Sequence, residues 1–170
     1  MFLTVARLAH MILTGVLTAV FLGTWIALSP TLQILEAEAY LPVQQDTIAT
    51  LTPLMPPIVL GSIAAGLAVL AILHRPRSPL FVLTGISVAL VLVTVVATIV
   101  GNWPLNDQTA TWTLDTMPAD WAERHDTWEA WHTVRAFGSA GAALALAVAA
   151  VVPTTSRPRS AARSSVTTAA

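Results

Sequence analysis

The stretch LFVLTGISVALVLVTVVATIVG, Leu80 to Gly101, runs for 22 residues without a charged side chain, and its reading decides the fold. As a helix rising about 1.5 Å per residue it covers roughly 33 Å, enough to cross the roughly 30 Å hydrocarbon core of a bilayer. Three further segments qualify on the same grounds. They run from Leu8 to Ser29, ending at Pro30; from Pro53 to Leu73, before the break HRPRSP at His74 to Pro79; and from Thr133 to Val152, closed by Pro153. The expected fold is all-α: an integral membrane four-helix bundle formed by residues 1–153, with the fourth helix extended on the extracytoplasmic side. Residues 154–170, rich in Ser, Thr, Ala and Arg without apolar periodicity, are expected to be a disordered cytoplasmic tail. A cleaved leader ending near Ala37-Glu38-Ala39 is the rival for the first span. Its apolar stretch exceeds the roughly 7 to 15 residues of a leader core, which favours a retained span.

Composition agrees and excludes much else. Of the 170 residues, 55% are hydrophobic and 10% charged, against about a quarter charged in soluble domains. A net charge of −1 offers no basic field for nucleic acid. The absence of Cys excludes disulfides, thiolate nucleophiles and cysteine-held iron–sulfur clusters, and the absence of Lys excludes Schiff-base chemistry.

Orientation follows from the arginines, because short loops rich in positive charge stay in the cytoplasm. Arg7, Arg75, Arg77, Arg157, Arg159 and Arg163 fall on one side of the four spans, while all nine acidic residues lie on the other, in or beside its two long connections. The chain is therefore expected to be a multi-pass protein of the cell membrane with both termini cytoplasmic. Helices in lipid associate through small residues and interhelical hydrogen bonds. Ser62 with Gly66, Gly138 with Ala142, and Gly141 with Ala145 and Ala149 supply such seams, and an association of copies is compatible with them. Thr94, Thr98 and Asn102 recur every four residues, a stripe expected to face the interior. For the two threonines, back-bonding to their own helix is the simpler role.

The outer half carries the candidate chemistry. All six Trp lie in or beside it; for Trp25 and Trp112 an interfacial aromatic belt suffices. Between Thr116 and Arg135 the pattern predicts a helix continuing into the fourth span, with Pro118 in its first turn. Trp121, His125, Trp128, His132 and Arg135 recur at steps of 4, 3, 4 and 3, one face of that helix. Counting residues from each span's far end places His132 and Arg135 at the same depth as Asn102 and Asn106, where Pro104-Leu105 is expected to turn the chain. His10 and His74 fall near the opposite boundary and read as interfacial. Arg135, at the edge of hydrocarbon, needs a partner or a route to water. Trp131 is the expected cation–π partner, and the Asn102 and Asn106 amides the expected acceptors.

A metal site is the alternative to weigh. Glu129-Ala130-Trp131-His132 has the Glu-x-x-His form of di-iron bundles, but it occurs once and lacks the accompanying carboxylates. His125, Glu129 and His132 have the residue types of a mononuclear site, although His125 and His132 stand about 10 Å apart along one helix. An i,i+4 pair between His125 and Glu129 is the plainer reading.

With the segment N-W-P-L-N at Asn102 to Asn106 and W-x-x-R-H-x-x-W-x-x-W-H-x-x-R from Trp121 to Arg135, the chain resembles the anthrone oxygenase-like family of small four-span membrane proteins. The resemblance extends over roughly Leu8 to Val152. It matches Asn102, Pro104 and Asn106 to the family's N-x-P-x-N element, and Trp128, His132 and Arg135 to its W-x-x-x-H-x-x-R element. It implies oxidation of an anthrone-type methylene to an anthraquinone by O2, with no cofactor. The methylene of such a substrate is acidic, and its anion reacts with O2 directly. His132, with an ordinary pKa of about 6.5, is then the candidate base. Arg135, Asn102 and Asn106 are candidate stabilisers of the phenolate oxygen. Trp103, Trp121, Trp128 and Trp131 are the candidate substrate-binding aromatics. The expected partners are the lipid bilayer, a hydrophobic aromatic small molecule and O2. The runner-up is a non-catalytic membrane module that binds a lipid or a partner subunit; a transporter ranks below both, since the spans lack embedded carboxylates and half-helices.

Overall fold

A computed structural model describes residues 1–73 and 76–152. His74, Arg75, Pro153 and the expected tail at 154–170 lie outside the described residues. Among these the chain is all-α. Helix α1 (Phe2–Ala27) runs into a short α2 (Ser29–Leu32); α3 (Ala37–Leu51) follows, then α4 (Met55–Ile72) and α5 (Pro79–Ala97). A π-helical turn (Thr98–Asn102) joins α5 to α6 (Trp103–Thr109), and α7 (Trp121–Val151) ends the described chain. Four helical stretches, Phe2–Leu32, Met55–Ile72, Pro79–Thr109 and Trp121–Val151, are long and apolar enough to cross a membrane. The protein is a multi-pass membrane protein. Its four long helices close a ring in which α1 packs on α4 and α7, while α5 packs on α4 and α7. The α5–α7 seam is the most extensive of these and α4–α5 the least.

The small residues pin that ring as expected. A Cβ on Gly66 would come within 2.5 Å of Val88 and 3.0 Å of His10, so only glycine lets α4 sit this close to its neighbours there. Gly138 and Gly141 bring α7 against Thr94 and Leu90 of α5, and Ala142, Ala145 and Ala149 are buried along the same helix. The Thr94 hydroxyl donates to the Val91 carbonyl and the Thr98 hydroxyl to the Thr94 carbonyl, each at 2.7 Å. Both threonines thus satisfy themselves on their own helix.

Three expectations are corrected. Pro104 does not turn the chain: the helix continues through it to Thr109. Proline has no N–H to return to the carbonyl four residues back, and the ladder widens just before it, with the Trp103 N–H reaching the Thr98 carbonyl five residues away. Helix α7 begins at Trp121, not in the Thr116 region, and Pro118 precedes it. Asp120, its N-cap residue, makes no side-chain cap; its carboxylate instead accepts from Arg124 Nε at 3.0 Å. That pairing holds the Asp120 carboxyl below its ordinary pKa. His10 is not interfacial. It is 1% exposed, with Nδ1 3.3 Å from the Ser62 hydroxyl, which in turn lies 2.8 Å from Thr14 Oγ1, tying α1 to α4.

The connection between α2 and α4 folds into α3, a helix the hydropathy pattern does not announce. It lays Tyr40, Leu41 and Gln44 onto the bundle, where Tyr40 and Leu41 join Leu32 in a core cluster against Trp121 and Trp112. Burial raises the Tyr40 phenol above its ordinary pKa, so it stays neutral.

Candidate functional site

The site is built around α7. A helical face presents Trp128, His132 and Arg135 inward, all buried, as their 4 and 3 spacing requires. Arg135 Nη2 lies 3.0 Å from His132 Nδ1. A guanidinium only donates, so Nδ1 is the acceptor and carries a lone pair, not a proton. Thr24 Oγ1 of α1 lies 3.0 Å from His132 Nε2, while its own proton is directed to the Val20 carbonyl at 2.8 Å or the Phe21 carbonyl at 3.1 Å. Nε2 is therefore the protonated nitrogen and donates to Thr24. His132 is thereby assigned as a neutral imidazole in a defined tautomer.

Arg135 is 7% exposed, and its Nε has no partner. Among the described residues the one ion pair is Asp120 with Arg124; no carboxylate lies within contact distance of Arg135, and buried Glu129 on the same helix attracts it only from further off. Its guanidinium lies 4.8 Å from the Phe21 ring centroid and 5.6 Å from that of Trp128. The cation–π partners are thus Phe21 and Trp128 rather than Trp131. Trp131 faces Gly101 of the π-turn, where an added Cβ would lie 2.0 Å from the indole.

Asn102 and Asn106 reach this cluster through Trp128. Asn102 Nδ2 donates to the Trp128 carbonyl at 2.9 Å, and Trp128 Nε1 donates to Asn106 Oδ1 at 2.7 Å. One asparagine therefore holds the backbone of Trp128 and the other its ring. Neither amide accepts from Arg135, contrary to the expectation. The ring so held packs on His132 at 4.8 Å between centroids.

These groups face a cavity of about 610 Å³ lined by α1, α4, α5 and α7 and roofed by the end of α3 and the residues after it. Phe21, Thr24, Asn106, Trp128, His132 and Arg135 line one end. The rest of the wall is mainly apolar, from Leu28, Ile48, Val59, Leu60, Ile63, Val95 and Ile99 among others. Trp103 stands at its edge, half exposed, its indole donating to Asp107 at 2.9 Å.

The remaining candidates are placed elsewhere. Trp121 and Trp131 do not line the cavity; Trp121 packs on Tyr40 at 4.8 Å between ring centroids. Asn102 is fully buried behind Trp128. His125 is enclosed by Tyr40 and Trp128, with both ring nitrogens unpartnered. Among the described residues no three His, Asp or Glu side chains converge to hold an ion, so His125, Glu129 and His132 are not assembled as a ligand set. Phe21 and Thr24 were missed. Their signal was available: His10, Thr14, Leu17, Phe21 and Thr24 repeat the alternation of steps of 4 and 3 seen on α7.

The architecture and site define a polytopic α-helical membrane protein with a polar, cationic end to an apolar cavity. The sequence profile of the anthrone oxygenase family matches residues 45–145, more than half of the chain. The protein belongs to the anthrone oxygenase family. The match runs from the middle of α3 through most of α7 and includes Asn102, Asn106, Trp128, His132 and Arg135, whereas Phe21 and Thr24 precede it. No curated protein and no solved structure matches this chain.

Proposed function

We propose that the protein oxidises an anthrone-type aromatic substrate with O2 inside this cavity, without a cofactor. The observation that carries the reading is a buried arginine, bonded to a neutral histidine and with no carboxylate in direct contact, facing an apolar cavity that holds a clamped indole. A flat aromatic body suits the apolar wall and Trp128, and the substrate oxygen suits Arg135. The reaction balances without a reductant. A methylene and O2 give a carbonyl and water, the methylene supplying every electron that O2 takes up.

His132 is the proposed base, with one condition set by its geometry. Its Nδ1 lone pair is engaged by Arg135, so it accepts a proton only when the guanidinium turns that N–H toward the substrate oxygen. Binding of the substrate oxygen and release of the base are then one movement. The proton passes from the substrate to Nδ1, and the new anion lies beside two cations, which offsets the cost of charging a buried imidazole. Asn102 and Asn106 act by holding Trp128. Trp103 contributes at the cavity edge, and Trp121 and Trp131 support the fold. Trp103 and Trp128 thus keep a place at the substrate, whereas Trp121 and Trp131 lose the substrate-binding role expected of them.

By the distribution of arginines and acidic residues, the site faces the extracytoplasmic side of the cell membrane and both termini the cytoplasm. The test is O2 uptake by purified protein with anthrone, together with the quinone absorbance. Stoichiometric O2 loss and quinone gain above the spontaneous rate support the reading. Binding of anthrone with no rate above background would reassign the site to a non-catalytic module.

A further inference from the structure

The α4–α5 seam is tight at one end and open at the other. Gly66 brings α4 against Val88 of α5 in the half away from the site. Toward the site the cavity is lined from both helices, by Val59, Leu60 and Ile63 of α4 and by Thr94 and Val95 of α5. Two wall residues are at once cavity lining and outward facing: Leu60 of α4 is 65% exposed and Ile99 of the π-turn is 59% exposed. Half-exposed Trp103 stands beside them. Leu60 lies five residues into α4, about 8 Å along its axis, so the gap opens at the level of acyl chains rather than bulk water. An apolar opening of this kind admits solutes that partition into lipid. In the same space Arg135 has no carboxylate in direct contact and leaves Nε unpaired.

We infer that ligands reach the cavity sideways from the bilayer through the gap between Leu60 and Ile99, and that the cavity selects flat lipophilic molecules carrying one anionic oxygen, which docks on Arg135. The inference rests on the cavity being the reaction site, but it concerns access and selection and does not depend on turnover. A lipophilic weak acid crosses the opening in its neutral form and gives up its proton only inside. The rings of Phe21 and Trp128 beside the cation favour an aromatic body over an acyl chain.

The test uses a non-reactive probe, anthracene-9-carboxylate, with 9-methylanthracene as its neutral counterpart. The protein is reconstituted in phosphatidylcholine vesicles, and energy transfer from tryptophan to anthracene reports binding. Leu60→Phe and Ile99→Phe, singly and together, are expected to slow association and dissociation about fivefold or more, by more than they change the equilibrium constant, the signature of a gate. Leu92→Phe, on the lipid face of α5 away from the cavity, is the control. Retained binding at equilibrium shows that the variants are folded. Arg135→Gln is expected to lower the preference for the carboxylate over the neutral probe by about 10- to 100-fold. Unchanged rates in the gate variants, with slowing instead in Thr47→Phe at the roof, would establish an aqueous route and overturn the portal. Equal displacement of the probe by oleate would overturn selection for a flat aromatic body. Loss of oxygenase turnover with these binding results intact would sink only the proposed reaction.

Discussion

Arg135 Nη2 donates to His132 Nδ1 across 3.0 Å, so the cation and the imidazole that line the cavity among the described residues are joined through the nitrogen a base would use. That bond, the rings of Phe21 and Trp128 and the more distant attraction of buried Glu129 are what Arg135 has in place of a direct ion pair. The bond also makes the histidine's basicity conditional on what the arginine binds.

Replacing His132 tests the base. In His132→Ala, turnover of anthrone is expected to fall by about 10²- to 10⁴-fold, the usual contribution of a positioned general base, with the protein still folded by circular dichroism. His125→Ala is expected to cost far less, because that ring is enclosed by Tyr40 and Trp128 and does not line the cavity. EDTA is expected to leave the rate unchanged. Loss on chelation, with His125, Glu129 and His132 equally essential, would point to a metal instead.

Arg135→Lys separates charge from geometry. An ammonium keeps the cation but cannot hold Nδ1 and a substrate oxygen with one planar fork. Intermediate kcat is expected, together with a pH–rate profile that differs from wild type because His132 is no longer held in the same bond. A profile and kcat identical to wild type would show that the guanidinium has no part in gating the base.

The asparagine clamp predicts a division between stability and binding. Asn102 is fully buried, and Asn102→Ala removes its bond to the Trp128 carbonyl, an expected cost of about 1 to 3 kcal/mol in thermal or denaturant unfolding. Asn106→Ala frees only the indole. It is expected to raise KM for anthrone more than it lowers stability. Equal effects of the two on stability would remove the distinction.

Gly101→Ala places a methyl where the Trp131 indole now sits, with an expected destabilisation of about 1 to 3 kcal/mol from overpacking. Trp131→Leu in the same chain should recover part of it. Additive losses would mean that the two residues do not share that space.

The topology is checked by single cysteines in this Cys-free chain. Thr111→Cys is expected to react with an impermeant maleimide in intact cells, and Ser160→Cys only after permeabilisation. Labelling of position 160 from outside would invert the orientation.

Much of this was legible before folding. Four apolar stretches and the nearness of Asn102 and Asn106 to the His132 and Arg135 face of α7 follow from hydropathy and a fixed rise per residue, both properties of the chain taken one helix at a time. Even the buried face of α7 is a matter of spacing. Sequence could not set how one helix is rotated against another, because that depends on which side chains meet at each crossing. Gly101, by admitting Trp131, and Pro104, by forcing the π-turn, set that rotation between α5 and α7. They lay Trp131 against the π-turn and leave the face that carries Trp128, His132 and Arg135 to the cavity. The same packing buries His10, recruits Phe21 and Thr24 from α1, and closes α3 over the cavity, so the membership of the site was decided by contacts between helices and not by the pattern within any one of them.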